Sequence, residues 1–485
     1  MPSVKKNYLY SILYQVLTII VPLITAPYLT RIMGVERLGE YSYSNSIAYY
    51  FYLFSILGMS NYGNRTIASI RDNREELNRV FSELVVLQIS FGTVVFIAYV
   101  VYVFSLFPTN ILRFNLSMIW GMYVLSGFLD ISWFFWGIER FSVTVARNII
   151  IKIFTVISIF IFVRNKNDLL VYVFITAFGS VIGTIVVWIQ LRGSVSIVRI
   201  SLKNVYKHFK PDLILFIPVI AVSIYTVMDK IMLGKFSEMN ELGFYDNIQK
   251  IMTVPTSFIT ALGTVMLPRM SNLIANGKKG HVLNFLEMSM QFSNFFSMAL
   301  SFGLAAVAPC FTVVYFGSEF SDTSDMMVLF CITIIFIAWA NVIRTQYLIP
   351  SGKDNIYIIS VISGAIVNIG INLILIPSLK AKGAIIGTIC AEFTVAFIQT
   401  VLIRKELNIR KYLANGIVYV IPGGLMFLCV RFVFRLLGTS VISLIIQVLV
   451  GIITYLLLGG LIFVKADTVL SNAVKKEVRK LFQGK

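Results

Sequence analysis

The chain is a succession of apolar runs about 20 residues long, separated by short polar breaks, and that pattern decides the solvent in which it can fold. A helix needs about 20 mainly apolar residues to cross the hydrocarbon of a bilayer. Reading the runs between breaks predicts spans at 9–30, 41–62, 80–106, 115–137, 143–163, 169–190, 211–234 and 244–267. Six more follow at 285–315, 324–348, 355–377, 383–403, 412–434 and 441–464. The expected fold class is an all-α polytopic membrane protein of about fourteen transmembrane helices. Composition agrees: 58% of residues are apolar and 13% charged, whereas a soluble domain is roughly 45–50% apolar and about 25% charged. The first run is too long for a signal-peptide core and lacks a small-residue cleavage site, so it counts as the first span.

Basic residues in short loops accumulate on the cytoplasmic side of a membrane. With the N-terminus placed inside, 26 of the 41 basic residues fall on that face and nine on the other. A miscounted helix would scramble this alternation, so both termini are expected to be cytoplasmic. The net charge of +18 then follows from loops facing an anionic leaflet, and no nucleic-acid partner is needed to explain it. In the tail, Leu470, Val474, Val478 and Leu481 share a helical face, and Lys475, Lys476, Arg479 and Lys480 lie elsewhere. It is expected to lie as an amphipathic helix on the membrane lipids.

Several chemistries are excluded. Cys310, Cys331, Cys390 and Cys429 lie in apolar runs without CxxC spacing, and the only histidines are His208 and His281. Neither a disulfide framework nor the usual zinc site is available, and no phosphate-binding GxxxxGK[ST] loop or HExxH motif occurs. No metal or organic cofactor is expected.

At an offset of 204 residues the sequence repeats itself. Residues 177–184 (AFGSVIGT) match 381–388 (AKGAIIGT) at five of eight positions, and Leu38-Gly39, Arg65, Phe81 and Glu83 match Leu242-Gly243, Arg269, Phe285 and Glu287. Both clusters carry GxxxG, which lets helices approach closely in lipid. The organisation expected is an N-terminal lobe of spans one to six (1–195) and a C-terminal lobe of spans seven to twelve (196–404). Two further helices (405–464) and the basic tail (465–485) follow. Duplicated bundles around a central site are how alternating-access carriers are built.

The segment 28–41 (YLTRIMGVERLGEY) ends a first helix in R-x-x-G and opens a second at L-G-x-Y. With 57–65 (LGMSNYGNR), 71–77 (RDNREEL), 368–377 (NIGINLILIP) and 383–392, it resembles the Wzx-type polysaccharide flippases of the multidrug/oligosaccharidyl-lipid/polysaccharide exporter superfamily. The resemblance implies two six-helix lobes forming a V around a cationic cavity in a bacterial plasma membrane. It implies an undecaprenyl-pyrophosphate-linked oligosaccharide as cargo, turned from the inner to the outer leaflet. It also implies a polysaccharide polymerase and glycosyltransferases as pathway partners.

Ionisable groups inside spans are costly and mark function by default. Lys152 is the deepest cation, about 14 Å into span five at the helical rise, with Arg147 shallower on the same helix. Arg31, Arg65, Lys230, Lys250 and Arg344 complete the cations expected to meet a diphosphate, since Arg engages it bidentately and Lys as a point charge. Asp130, Asp229, Asp246 and Glu392 are the carboxylates that can couple transport to H+ or Na+. The bland readings stand beside these: Asp246 and Lys250 have the i, i+4 spacing of a local ion pair, and Asp229-Lys230 can snorkel. Within transport, the rivals are a teichoic-acid or peptidoglycan-precursor flippase and a cation-coupled drug antiporter. A membrane glycosyltransferase or polymerase needs a large loop or domain, and no inter-span loop here exceeds about twenty residues, too short for an independent domain.

Overall fold

The computed structural model describes residues 4–465, and side chains from 17 to 464. Helices account for nearly all of it, and no strand occurs among the described residues. The amphipathic tail expected near 465–485 lies outside them.

The first two helices, α1 (Val4–Met33) and α2 (Val35–Ile56), meet at Gly34. Its φ of 76° turns the chain in a single residue, a conformation glycine reaches without a Cβ penalty. The second helix starts and ends earlier than its apolar run suggested. It stops at Leu57 (φ 53°), and α3 (Met59–Ile70) follows as a short separate helix burying Met59, Gly63 and Ile67 at i, i+4, i+8. The third span, α4 (Arg74–Ser105), is capped by Asn73, whose Oδ1 accepts the Glu76 amide at 3.2 Å. Two acids in its first turn add to that cap through the helix dipole.

Span four is interrupted, giving α5 (Ile111–Phe128) and α6 (Ser132–Gly137). Then come α7 (Phe141–Phe162) and α8 (Leu169–Gln190). Span seven comprises α9 (Leu202–Ser223), a π-helical stretch Ile224–Met228 and α10 (Asp229–Phe236). Long helices α11 (Met239–Ala275), α12 (Lys279–Phe316) and α13 (Ser324–Ile343) follow, the last continuing as a π-helix through Arg344–Leu348. Spans eleven and twelve form one run, α14 (Asp354–Ile403), that breaks at Lys380 (φ 51°, ψ −128°). The chain closes with α15 (Ile409–Ile417), α16 (Val420–Leu437) and α17 (Val441–Lys465).

Each of the fourteen runs falls on helix. Among the described residues, eleven helical segments are long and apolar enough to cross a bilayer, with α14 counted once. Serines, tyrosines and Glu40 make α2 too polar to be among them. The protein is a multi-pass membrane protein.

The chain forms two compact units, residues 1–243 and 244–485. In the first, α5 packs between α2 and α8. The buried Trp120 indole donates to Ser44 Oγ at 3.2 Å, and Tyr99 donates to the Ser117 carbonyl at 2.6 Å. Span seven belongs to this unit, since α9 lies on α3 and α4 and α10 lies on α2. In the second unit the last two spans pack on α12, with Met426, Val430 and Tyr455 against Ala306 and Val307. The repeated glycines do the same job in each unit. A Cβ at Gly183 would come 2.9 Å from Ile151 of the preceding span, and one at Gly387 would come 2.0 Å from Asn372 Oδ1. Outside the spans, Glu406 ties two loops together by accepting from Lys353 and Tyr347. The Lys353 bond first, then the tyrosine, holds its carboxyl below the ordinary 4.5.

Candidate functional site

The break in span four is the best-supported polar site in the first unit. Irregular backbone survives at membrane depth only where protein satisfies its polar groups. Here Thr184 Oγ1 donates to the Ser126 carbonyl (3.2 Å), Gln88 Nε2 to those of Gly127 (3.3 Å) and Asp130 (3.0 Å), and the Trp188 indole to that of Leu129 (2.7 Å). Gln88 is 3% exposed, and its Oε1 accepts the Trp133 indole at 2.8 Å. Held in that break, Asp130 accepts the Ser132 amide (2.8 Å) and hydroxyl and so starts α6. It also lies 3.6 Å from Arg147 Nη1. Arg147 further donates to Asn148 Oδ1 (2.9 Å), Ser132 Oγ (3.2 Å) and the Gly183 carbonyl (3.4 Å). Two residues assigned separately from sequence, one as phosphate ligand and one as coupling carboxylate, are thus one ion pair. Its charge is balanced in place.

One and a half turns farther along α7, Lys152 is half-buried and its Nζ donates to Thr18 Oγ1 of α1 at 2.7 Å. The remaining candidates are dispersed. Arg31 in the last turn of α1 and Arg65 on α3 are exposed. Asp229 is fully buried at the end of the π-helical stretch, where its field reaches Tyr50, and Lys230 beside it is half-buried. In the second unit Asp246 and Lys250 form the local pair their spacing foretold, at 2.7 Å. Arg344 opens the other π-helix, stacks 5.5 Å from the Tyr357 ring centroid and is the charge that acts on Glu392. On α2, Tyr41 stacks on Tyr172 at 4.4 Å and Tyr49 on Tyr52, as packing does.

Sequence reasoning missed Gln88 and both π-helical stretches, which occur often at functional positions. It also missed a half-buried Tyr62–His208–Glu83 chain on α3, α9 and α4. A glutamine deep in span three was a readable signal. The π-stretches leave none, because the composition there is that of any span. Among the described residues, no three His, Cys, Asp or Glu side chains gather as a metal site requires.

Comparison with known proteins agrees with this anatomy. Residues 4–274 match the family described as polysaccharide biosynthesis protein. A proposed O-antigen transporter of Shigella dysenteriae is 24% identical over 400 residues, covering 80% of this chain and 97% of that protein. The lipid II flippase MurJ in an inward closed conformation superposes with a TM-score of 0.73 at 17% identity, covering 93% of this chain and 99% of that one. An inward-facing multidrug resistance MATE family transporter of the MOP superfamily gives 0.60 at 12% identity, covering 82% and 98%. These two share the fold. With more than half its length matched, and in keeping with the resemblance read from its motifs, this chain belongs to the polysaccharide biosynthesis protein family.

Proposed function

We propose that the protein is a flippase for a lipid-linked glycan, carrying an undecaprenyl-pyrophosphate-linked oligosaccharide from the inner to the outer leaflet of a bacterial plasma membrane. Alternating access, with both termini cytoplasmic and H+ or Na+ as the coupling ion, is the mechanism in this reading. Polymerase and glycosyltransferases of the same pathway are its neighbours. The observation that carries the proposal is the near end-to-end match to an O-antigen transporter, 97% of whose length is covered. Lys152, a half-buried cation within a span that donates to Thr18, supports it, because a cation suits a diphosphate better than an organic cation. In this reading Arg147, paired with Asp130, braces the interrupted span.

The match to the O-antigen transporter favours a glycan-lipid cargo over a drug, while the fold, common to a lipid II flippase and a multidrug transporter, does not choose between oligosaccharide and peptidoglycan precursor. The test is translocation in proteoliposomes of undecaprenyl-diphosphate-oligosaccharide, lipid II and an organic cation in parallel, with wild type, Lys152→Ala and Lys152→Arg. Oligosaccharide-lipid movement that Lys152→Ala abolishes and Lys152→Arg partly retains, at unchanged monodispersity, is the expected result. Movement of lipid II alone replaces the cargo, and export of the organic cation alone replaces the function.

A further inference from the structure

The first unit contains a titratable cluster that the cargo path described above does not use. His208 on α9 is hydrogen-bonded at both ring nitrogens, Nδ1 to the Tyr62 hydroxyl at 2.7 Å and Nε2 to Glu83 Oε2 at 3.0 Å. Glu83, on α4, is 4% exposed, and its second oxygen has no partner. One turn beyond His208 on the same face of α9, Asp212 is fully buried and neither of its carboxylate oxygens accepts a hydrogen bond. It faces Gly58, where a Cβ would come 3.0 Å from Asp212 Oδ1, and both Asp212 and Glu83 act on Tyr62. So α3, α4 and α9 converge on two buried acids and one imidazole. The nearest other charges point away: Lys203, Lys207 and Lys210 on α9 and Arg65 on α3 are exposed, and Arg79 on α4 pairs with Glu76 at 3.7 Å.

The duplicated sequence supplies a comparison inside the same molecule. The counterpart of Glu83 at the 204-residue offset is Glu287 on α12, and its partner is Lys411, with Nζ at 2.9 Å. That acid always has a cation. Glu83 has one only when His208 is protonated, and histidine is the side chain that changes charge near neutral pH. A buried carboxylate with no hydrogen bond is tolerated as the neutral acid and opposed as the anion, so Asp212 can hold a second proton beside the first.

We propose that His208, Glu83 and Asp212 form a proton-binding site at the docking of span seven onto spans two and three, and that its occupancy governs transport. Protonation of His208 turns the Glu83 contact from a hydrogen bond between imidazole and carboxylate into an ion pair. It thereby tightens α9 on α4, so a movement of α9 away from α4 releases the proton. The transport clause rests on the flippase reading, while the binding clause stands without it.

The experiment follows both. In full-length His281→Gln protein, His208 is the sole histidine, and its 15N-labelled ring is followed in nanodiscs from about pH 5 to 8. Glycan-lipid translocation is measured over the same range for wild type, His208→Gln, His208→Lys and Asp212→Asn. The ring is expected to titrate in that window and the wild-type rate to change across it. His208→Gln and His208→Lys are expected to lose that dependence, the lysine variant remaining folded with a permanent cation as at Lys411. Asp212→Asn, an amide standing for the neutral acid, is expected to keep transport at the acidic end. A ring fixed in one form throughout, or a His208→Gln profile matching wild type, overturns the proposal. Should wild type move no glycan lipid at any pH, the flippase reading falls and the ring titration alone decides the site.

Discussion

Gln88→Leu is the substitution whose cost follows most directly from the structure. The leucine keeps the volume and removes three hydrogen bonds: those to the Gly127 and Asp130 carbonyls and that from the Trp133 indole. Hydrogen bonds between membrane helices average about 0.6 kcal/mol by double-mutant cycles, which sets a floor near 2 kcal/mol for three. Groups left buried and unsatisfied cost about 1–3 kcal/mol each, but the two carbonyls lie in a break that can shift to find other donors. A loss of about 2–4 kcal/mol is therefore expected. Reversible unfolding of the purified protein in mixed micelles measures it, with Gln88→Glu as companion. The glutamate, neutral in so buried a place, retains an acceptor for the Trp133 indole and one O–H to donate, so it should fall between wild type and leucine. A leucine variant within about 0.5 kcal/mol of wild type would refute the idea that Gln88 holds the interrupted span together.

Two further outcomes follow. Gly39→Ala puts a methyl 2.0 Å from the Met239 carbonyl oxygen, a main-chain atom with little freedom to retreat, whereas Gly280→Ala adds one into open space. Folded yield by fluorescence-detected size exclusion should collapse for the first and match wild type for the second. Glu406→Gln should destabilise only above the acid range. The carboxyl's titration is depressed in the folded protein, so its contribution is present above the ordinary 4.5 and is lost as pH falls through the lower folded value. With its side chain 39% exposed, solvent screening keeps that contribution under about 1 kcal/mol. Melting temperatures of variant and wild type should differ slightly at neutral pH and converge at strongly acidic pH.

The helices were legible because hydrocarbon demands length and apolarity in one continuous run, and local pairs were legible because helical periodicity fixes them. Asp246–Lys250 and the glycines at 179, 183, 383 and 387 are of that kind. The break at Asp130 was not, since Ile131 and the aromatic residues after it continue the apolar run, and only Gln88, Thr184 and Trp188 reveal what compensates the opened backbone. The short helix α3 was hidden similarly, because Leu57 carries no sign of a positive φ. Pairings between distant residues are invisible to spacing. Arg147 and Asp130 were both singled out, yet nothing in the chain between them announces a partnership. His208 and Glu83 lie 125 residues apart, and histidine was weighed only as a metal ligand.

The two clamped glutamates take their partners from adjacent helical positions. At the 204-residue offset Lys411 falls on Lys207, and the histidine that faces Glu83 falls on Tyr412. In the second unit Lys411 grips Glu287; in the first the residue after Lys207, His208, meets Glu83. Successive residues on an α-helix are about 100° apart. One step along a helix, with histidine where the other register has Tyr412, therefore separates a reversible clamp from a permanent one.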